Sequence, residues 1–314
     1  MGGLIAVTGG TGFLGRAMLG ALAREGWRLR LLVRRNPALD LPGGNEPELV
    51  FGGLDDPAAL GRLVRGADAV VHAAGLIKAP SLDGFMAVNR DGSRRLGEAV
   101  ARFAPDARLV VVSSLAAREP GLSGYAASKR AGEEAAVEAF GGGNWVVLRP
   151  PAIYGPGDRE TLTVFRAARA PIVPLFHGPE SRVCLIHADD AAAAVAALCA
   201  GGPSARVYEL SDERREGYGW REVIEAAARA VGSSPRLLPV PGALVHAAAS
   251  LSGGAARLTG RTAMLTPGKA REMLHPDWSS EAGRQPSPAI WQPRVRLDEG
   301  FRDTVAWYRA AGWL

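Results

Sequence analysis

Leu4-Ile5-Ala6-Val7-Thr8-Gly9-Gly10-Thr11-Gly12-Phe13-Leu14-Gly15 decides the fold of this chain of 314 residues. Four apolar residues read as a short buried strand and run straight into a turn whose Gly9, Gly12 and Gly15 lie three apart. Beyond it Leu14, Met18, Leu19 and Leu22 fall on one side and Arg16 and Arg24 on the other, the pattern of an amphipathic helix. Glycine permits the tight strand-to-helix turn, lets a pyrophosphate approach the backbone, and lets helix pack close to strand. The helix N-terminus adds free N–H groups and the positive end of a dipole. In a chain with 40 glycines an ordinary glycine-rich turn is the bland alternative. The position between strand and helix points instead to a dinucleotide site.

The rhythm continues downstream. Strands are expected near 4–7, 28–33, 48–51, 68–73, 108–112 and 145–149, with helices between most of them. That alternation predicts an α/β fold, a doubly wound parallel Rossmann sheet with a smaller C-terminal substrate-binding lobe. After Gly155 the rhythm changes. Pro171, Pro174 and Pro179 precede a helix over 189–198, a strand over 207–210 and a helix over 220–231. A loop from Pro286 onward leads to a closing helix over 298–311. The expected division is a dinucleotide-binding domain over 1–155, to which the chain returns at about 183–231. The substrate lobe covers 156–314, mainly 156–182 and 232–314.

The second strand ends at Arg34-Arg35, where a site for NAD(H) usually places Asp or Glu against the ribose hydroxyls. Arginine cannot accept those hydrogen bonds, but it pairs with a 2′-phosphate. NADP(H) is therefore favoured, with NAD(H) as the alternative.

Further on, Tyr125-Ala126-Ala127-Ser128-Lys129 sets a phenol and an ammonium one helical turn apart on one face. A nearby cation favours the phenolate, and a hydroxyl of lowered pKa exchanges protons with a substrate oxygen near neutral pH. Lysine is scarce: of 37 basic residues only Lys78, Lys129 and Lys269 are lysines.

These motifs resemble the short-chain dehydrogenase/reductase superfamily, in its extended, epimerase/dehydratase-like branch. Thr8–Gly15 is similar to that branch's cofactor loop and Tyr125/Lys129 to its Tyr-x-x-x-Lys pair. Leu148–Gly157 resembles its strand and loop beside the nicotinamide, and Ile186-His187-Ala188-Asp189-Asp190 a later segment. The resemblance implies hydride transfer between the nicotinamide and a carbonyl or alcohol, with Tyr125 as acid/base. Lys129 would hold the cofactor ribose, and Ser114 or its neighbour Ser113, with Ser114 favoured, would bind the substrate oxygen. Asn89 would support the lysine. Cofactor contacts are implied for Gly9, Gly12, Phe13, Leu14, Gly15, Arg34, Arg35, Leu54, Ala73, Ala74, Tyr125, Lys129, Pro150 and Ile153. His72 reads as a strand side chain. Ser114-Leu115-Ala116-Ala117 lacks the acidic pair of the sugar-nucleotide dehydratases, which argues against dehydration. An NADP-dependent carbonyl reductase leads, ahead of an NAD-using nucleotide-sugar epimerase or reductase and of a non-catalytic NADP-binding relative.

Bulk properties agree. Hydrophobic content of 47% with 22% charged is ordinary for a soluble globular protein. Cys184 and Cys199 lack metal-ligand spacing, no metal is expected, and a reducing, cytoplasmic setting is the simple reading. Met1 is followed almost at once by the first strand, leaving no room for a cleavable signal peptide. A net charge of +5 raises the question of nucleic acid, but arginine is spread along the chain without a basic run. Val240–Leu258 is apolar yet broken by Pro241, His246 and Gly253-Gly254, so a core or lid helix is expected rather than a membrane span. Val240, Leu244, Val245 and Leu251 could line a greasy pocket, with ordinary helix packing the favoured reading. The partner is a small-molecule substrate, and a homodimer is implied by family analogy alone.

Overall fold

The apolar runs of the N-terminal half become the strands of one parallel sheet. In the computed structural model, which describes residues 2–39, 41–42, 46–176, 178, 180–245, 247–249, 252 and 267–314, these are β1 (Leu4–Thr8), β2 (Arg28–Val33), β3 (Glu48–Phe51), β4 (Ala69–His72), β5 (Arg108–Val112) and β6 (Trp145–Arg149). The strand Arg206–Glu209 joins beyond β6, and β5, β4, β1, β2 and β3 follow in that order on the other side. All neighbours are parallel. β1, β4 and β5 are buried along their whole length, as strands covered by helices on both faces must be. β3, at the edge, leaves Glu48 and Phe51 exposed.

Helices α1 (Phe13–Arg24), α2 (Pro57–Val64), α3 (Leu82–Asn89), α4 (Asp91–Phe103) and α5 (Gly124–Phe140) connect the strands. Leu60 and Leu63 of α2 and Leu96 and Val100 of α4 share one core with Ala6, Val70, Leu109 and Val147 of the sheet. Local chemistry starts and stops these helices. Asp56 accepts from Ala59 N at 3.0 Å, ahead of Pro57 in the first turn of α2. Ser81 caps α3 and Ser123 caps α5, which ends at Gly141 in the left-handed region (φ 65°).

Strand order reverses at β1, whose neighbours are β2 and β4. The carboxyl ends of β1 and β4 therefore flank a switch point, where open α/β sheets bind ligands. Thr8–Gly15 leaves the first of these ends and His72–Gly75 the second.

The chain forms two compact units. The sheet unit takes Met1–Pro150, Asp189–Leu210 and Arg284–Gln292; the second takes Pro151–Ala188, Ser211–Gly283 and Pro293–Leu314. The return to the sheet is thus shorter than the expected 183–231, because helix Trp220–Val231 buries Val223, Ala226 and Ala227 in the second unit's core with Phe165 and Phe301. Conversely, Arg284–Gln292 leaves the lobe expected over 232–314. The Trp291 indole N–H there donates to Asp190 O at 3.1 Å. In the second unit Ala152–Tyr154 pairs with Leu185–His187, and Ile172–Leu175 with Arg236–Pro239. Of the suggested greasy-pocket residues, Val245 is buried and Leu244 exposed. Leu251 and 253–258 lie outside the described residues. Among the described residues no helix is long and apolar enough to cross a membrane.

Candidate active site

Tyr125 lies in the first turn of α5, half-buried, with Lys129 one turn on. The Lys129 Nζ donates to Val112 O, the last carbonyl of β5, at 3.0 Å. One bond thus ties the helix carrying the phenol to the strand end carrying Ser113 and Ser114. Burial lowers the Lys129 ammonium to about 8, against the opposing pull of Glu133 one turn further along. Glu133 itself is held in a buried bidentate pair with Arg149 at the end of β6, at 2.9 and 2.7 Å.

The two serines differ. Ser113 is buried and its Oγ has no hydrogen-bond partner among the described residues. Ser114 is half-buried, and its Oγ accepts from Ala116 N at 3.2 Å, capping the short 3₁₀ turn Leu115–Arg118. With a lone pair so engaged, the Ser114 hydroxyl hydrogen remains to be donated outward.

Asn89 is only 4% exposed, and its bonds run to neighbours other than Lys129. Its Oδ1 accepts from Leu76 N at 2.7 Å, and its Nδ2 donates to Leu76 O at 3.0 Å and to Ser128 Oγ at 2.9 Å. Ser128 in turn donates to Tyr125 O at 2.8 Å. Asn89 therefore fixes the loop after β4 against the helix of Tyr125.

A second chain of hydrogen bonds passes through His72, a role that no spacing in the sequence discloses. Ser93 Oγ donates to Asn89 O at 2.5 Å and lies 2.8 Å from His72 Nε2. It must then accept from that nitrogen. Nδ1 is left bare to accept from Thr8 Oγ1, 2.8 Å away. Thr8 Oγ1 accepts from Ala74 N at 3.3 Å. Burial, with the Lys129 charge as a second cause, pushes His72 down to about 3, so it is neutral here.

The glycine turn divides its labour. A Cβ on Gly9 (φ 77°) would stand 2.6 Å from Ala73 C and Ala74 N, and one on Gly15 2.1 Å from Gly9 O, so both are required by backbone packing. A Cβ on Gly12 meets only Gly9 O, at 3.4 Å, so Gly12 faces open space at the start of α1. Gly12 offers no side-chain cap, and the first turn, opening with Phe13 and Leu14, holds no acidic residue. Free amides facing open space suit a pyrophosphate. Beside them a cleft of about 840 Å³ is lined by Thr11, Arg16, Arg34, Arg35, Asn36 and Ala38. Arg16, whose spacing in the sequence marks it only as helix surface, stands in the first turn after Gly15 and so at the same end of the helix as the cradle. It donates to Ala38 O at 3.0 Å.

The other expected contacts scatter more. Leu54 sits against the start of α4, close to Gly92. Pro150 is buried, and its carbonyl accepts from Leu115 N at 2.8 Å. Ile153 belongs to the second unit, opposite Ile186. Among the described residues no three His, Cys, Asp or Glu side chains gather as a metal site.

The profile of the NAD dependent epimerase/dehydratase family matches residues 5–211. A ceramide reductase from Caulobacter vibrioides is 48% identical over 99% of this chain and 96% of its own length. A 2-alkyl-3-oxoalkanoate reductase from Stenotrophomonas maltophilia is 30% identical, covering 95% of this chain and 97% of its own. Among solved structures, the Thermus thermophilus UDP-glucose 4-epimerase in complex with NAD superposes with a TM-score of 0.68 at 22% identity, covering 98% of this chain and 99% of that one.

Proposed function

Because the chain belongs to the NAD dependent epimerase/dehydratase family, as an NAD(P)-dependent oxidoreductase, we propose that it reduces a ketone in a ceramide-like lipid, using NADPH. The near full-length identity of 48% to a ceramide reductase carries this reading. A ceramide offers an amide carbonyl and hydroxyls. The amide is a poor hydride acceptor, so the group reduced is a ketone that becomes one of the hydroxyls. The second reductase is likewise named for a 3-oxo group.

The cofactor supplies the hydride. Gly12 and the first amides of α1 would take its pyrophosphate. The guanidinium groups of Arg16, Arg34 and Arg35 favour the 2′-phosphate of NADP(H) over a bare ribose. Ser114 donates its free hydroxyl hydrogen to the substrate oxygen, and Tyr125 passes its proton to the same oxygen as negative charge develops there. Lys129, charged below a pH of about 8, holds the ribose and stabilises the phenolate left behind.

Titration of cofactor-stripped protein with NADPH and NADH, followed by assay on an oxidised ceramide, tests the reading. Tighter NADPH binding, lost in Arg34→Ala, and lipid reduction with matching NADPH consumption are expected. Tighter NADH binding, together with turnover of a nucleotide sugar and none of the lipid, would overturn it in favour of an epimerase.

A further inference from the structure

We infer that Leu76, Ile77 and Leu82 form the subsite that receives the hydrocarbon chain of the substrate, an assignment that rests on the lipid-ketone reading above. These side chains are 37%, 60% and 49% exposed, so three large apolar groups within seven residues face outward. Apolar residues exposed singly are unremarkable, but three within one short segment beside a reactive group are the mark of a binding surface.

Two observations say what this surface binds. The first is its fixed placement. The loop that presents it is held by Asn89, which takes both the N–H and the C=O of Leu76 at 2.7 and 3.0 Å from a buried position. Ser81 pins the far end of the loop by capping α3, accepting from Gly84 N at 3.1 Å. A buried polar side chain thus holds the backbone while the apolar side chains point to solvent, which is a preorganised display.

The second observation is continuity with the proposed acid. The Phe85 ring lies 6.1 Å from the Tyr125 ring, centroid to centroid. A methyl added to Gly124 would touch Leu82 Cδ1 at 3.5 Å and Phe85 Cδ2 at 3.6 Å. The apolar surface therefore begins at the residue before Tyr125 and runs outward through Phe85 and Leu82. Asn89 also bonds Ser128 on the Tyr125 helix, so one side chain sets both the loop and the acid. A hydrocarbon chain on this surface would leave its attached carbonyl at the phenol. A nucleotide sugar offers little hydrocarbon to such a surface, whereas each methylene of an alkyl chain buried there is worth about four-fold in binding.

The test compares kcat/KM on a short-chain and a long-chain oxidised ceramide for the wild type, Ile77→Asn and Leu82→Asn. Both substitutions fall on exposed side chains, and an unchanged urea midpoint and unchanged NADPH affinity are the expected controls. Wild type should favour the long chain. Each variant should lose roughly ten-fold on it through KM, while the short-chain ketone is turned over as before. Equal losses on both substrates, or no loss on either, would overturn the subsite while leaving the reductase reading intact. A loss seen only when the long-chain substrate is presented in vesicles, and absent in detergent micelles, would also overturn it, making this face a membrane contact. No turnover of any ketone by the wild type with NADPH removes both readings together.

Discussion

Ser113 and Ser114 are neighbours in sequence with opposite surroundings, one buried and without a hydrogen-bond partner among the described residues, the other half-buried with a hydrogen left to donate. If Tyr125 and Ser114 serve the substrate oxygen as proposed, Tyr125→Phe should cut kcat by roughly 10²–10⁴-fold, with NADPH affinity within two-fold of wild type by titration. Ser114→Ala should lose less, and Ser113→Ala should keep its turnover. Wild-type rates in Tyr125→Phe would exclude it as the acid. His72 makes a separate prediction about acid. Its folded value of about 3 lies below the ordinary 6.5 because of burial and the Lys129 charge. Between those pH values the unfolded chain binds a proton that the native one refuses. This contribution to stability is intact above pH 6.5 and is lost as pH falls toward 3. The urea midpoint should drop between pH 7 and pH 4, more steeply in wild type than in His72→Asn. Equal slopes would show that carboxylates alone set the acid limit. The pair Tyr125/Lys129 was legible because both partners sit on one helix. His72 was not, since Thr8 and Ser93 are 64 and 21 residues away in sequence and meet it only through the sheet.

At the scale of elements, α5 is fastened to the sheet by charge as well as by packing. Glu133 and Arg149 are both about 5% exposed, and Glu209, on the neighbouring strand, stands 3.8 Å from Arg149. Glu133→Gln removes one of the two carboxylates facing Arg149 while Glu209 stays in place, and should destabilise the protein by about 1–3 kcal/mol, read from denaturant unfolding. It also removes the carboxylate that supports the Lys129 charge. If Lys129 holds the ribose as a cation, the pH at which NADPH binding weakens should therefore be lower in this variant than in wild type. Unchanged stability and an unchanged pH dependence would deny the fastening. Legibility at this scale followed the length of the apolar run. β1 and β5 are five buried residues each and announce themselves as apolar runs. The second unit pairs strands as short as Arg182–Val183, Tyr218–Gly219 and Asp277–Trp278. Two residues carry no periodicity, so these strands exist only through the contacts that the folded chain makes.

For the molecule as a whole, the order of motifs prescribed the parallel sheet, while the short return over Arg284–Gln292 carries no motif and rests on single anchors such as Trp291 on Asp190 O. Net charge was legible outright and has a kinetic consequence. The chain carries +5 at neutral pH, and Arg16, Arg34 and Arg35 line one cleft at the mouth of the proposed cofactor site. NADPH differs from NADH by a 2′-phosphate, close to two additional negative charges at pH 7. A basic protein accelerates the approach of an anion, and salt screens that attraction over a Debye length of about 8 Å at 0.15 M ionic strength. The association rate of NADPH should therefore fall more steeply with added salt than that of NADH in stopped-flow measurements. Removing one guanidinium with Arg34→Ala should bring the two slopes together, mainly by flattening the NADPH one. Parallel slopes in the wild type would mean that the 2′-phosphate does not meet this cleft. The arginines at the end of β2 would then be ordinary surface charge, and the preference for NADPH would lose its physical basis.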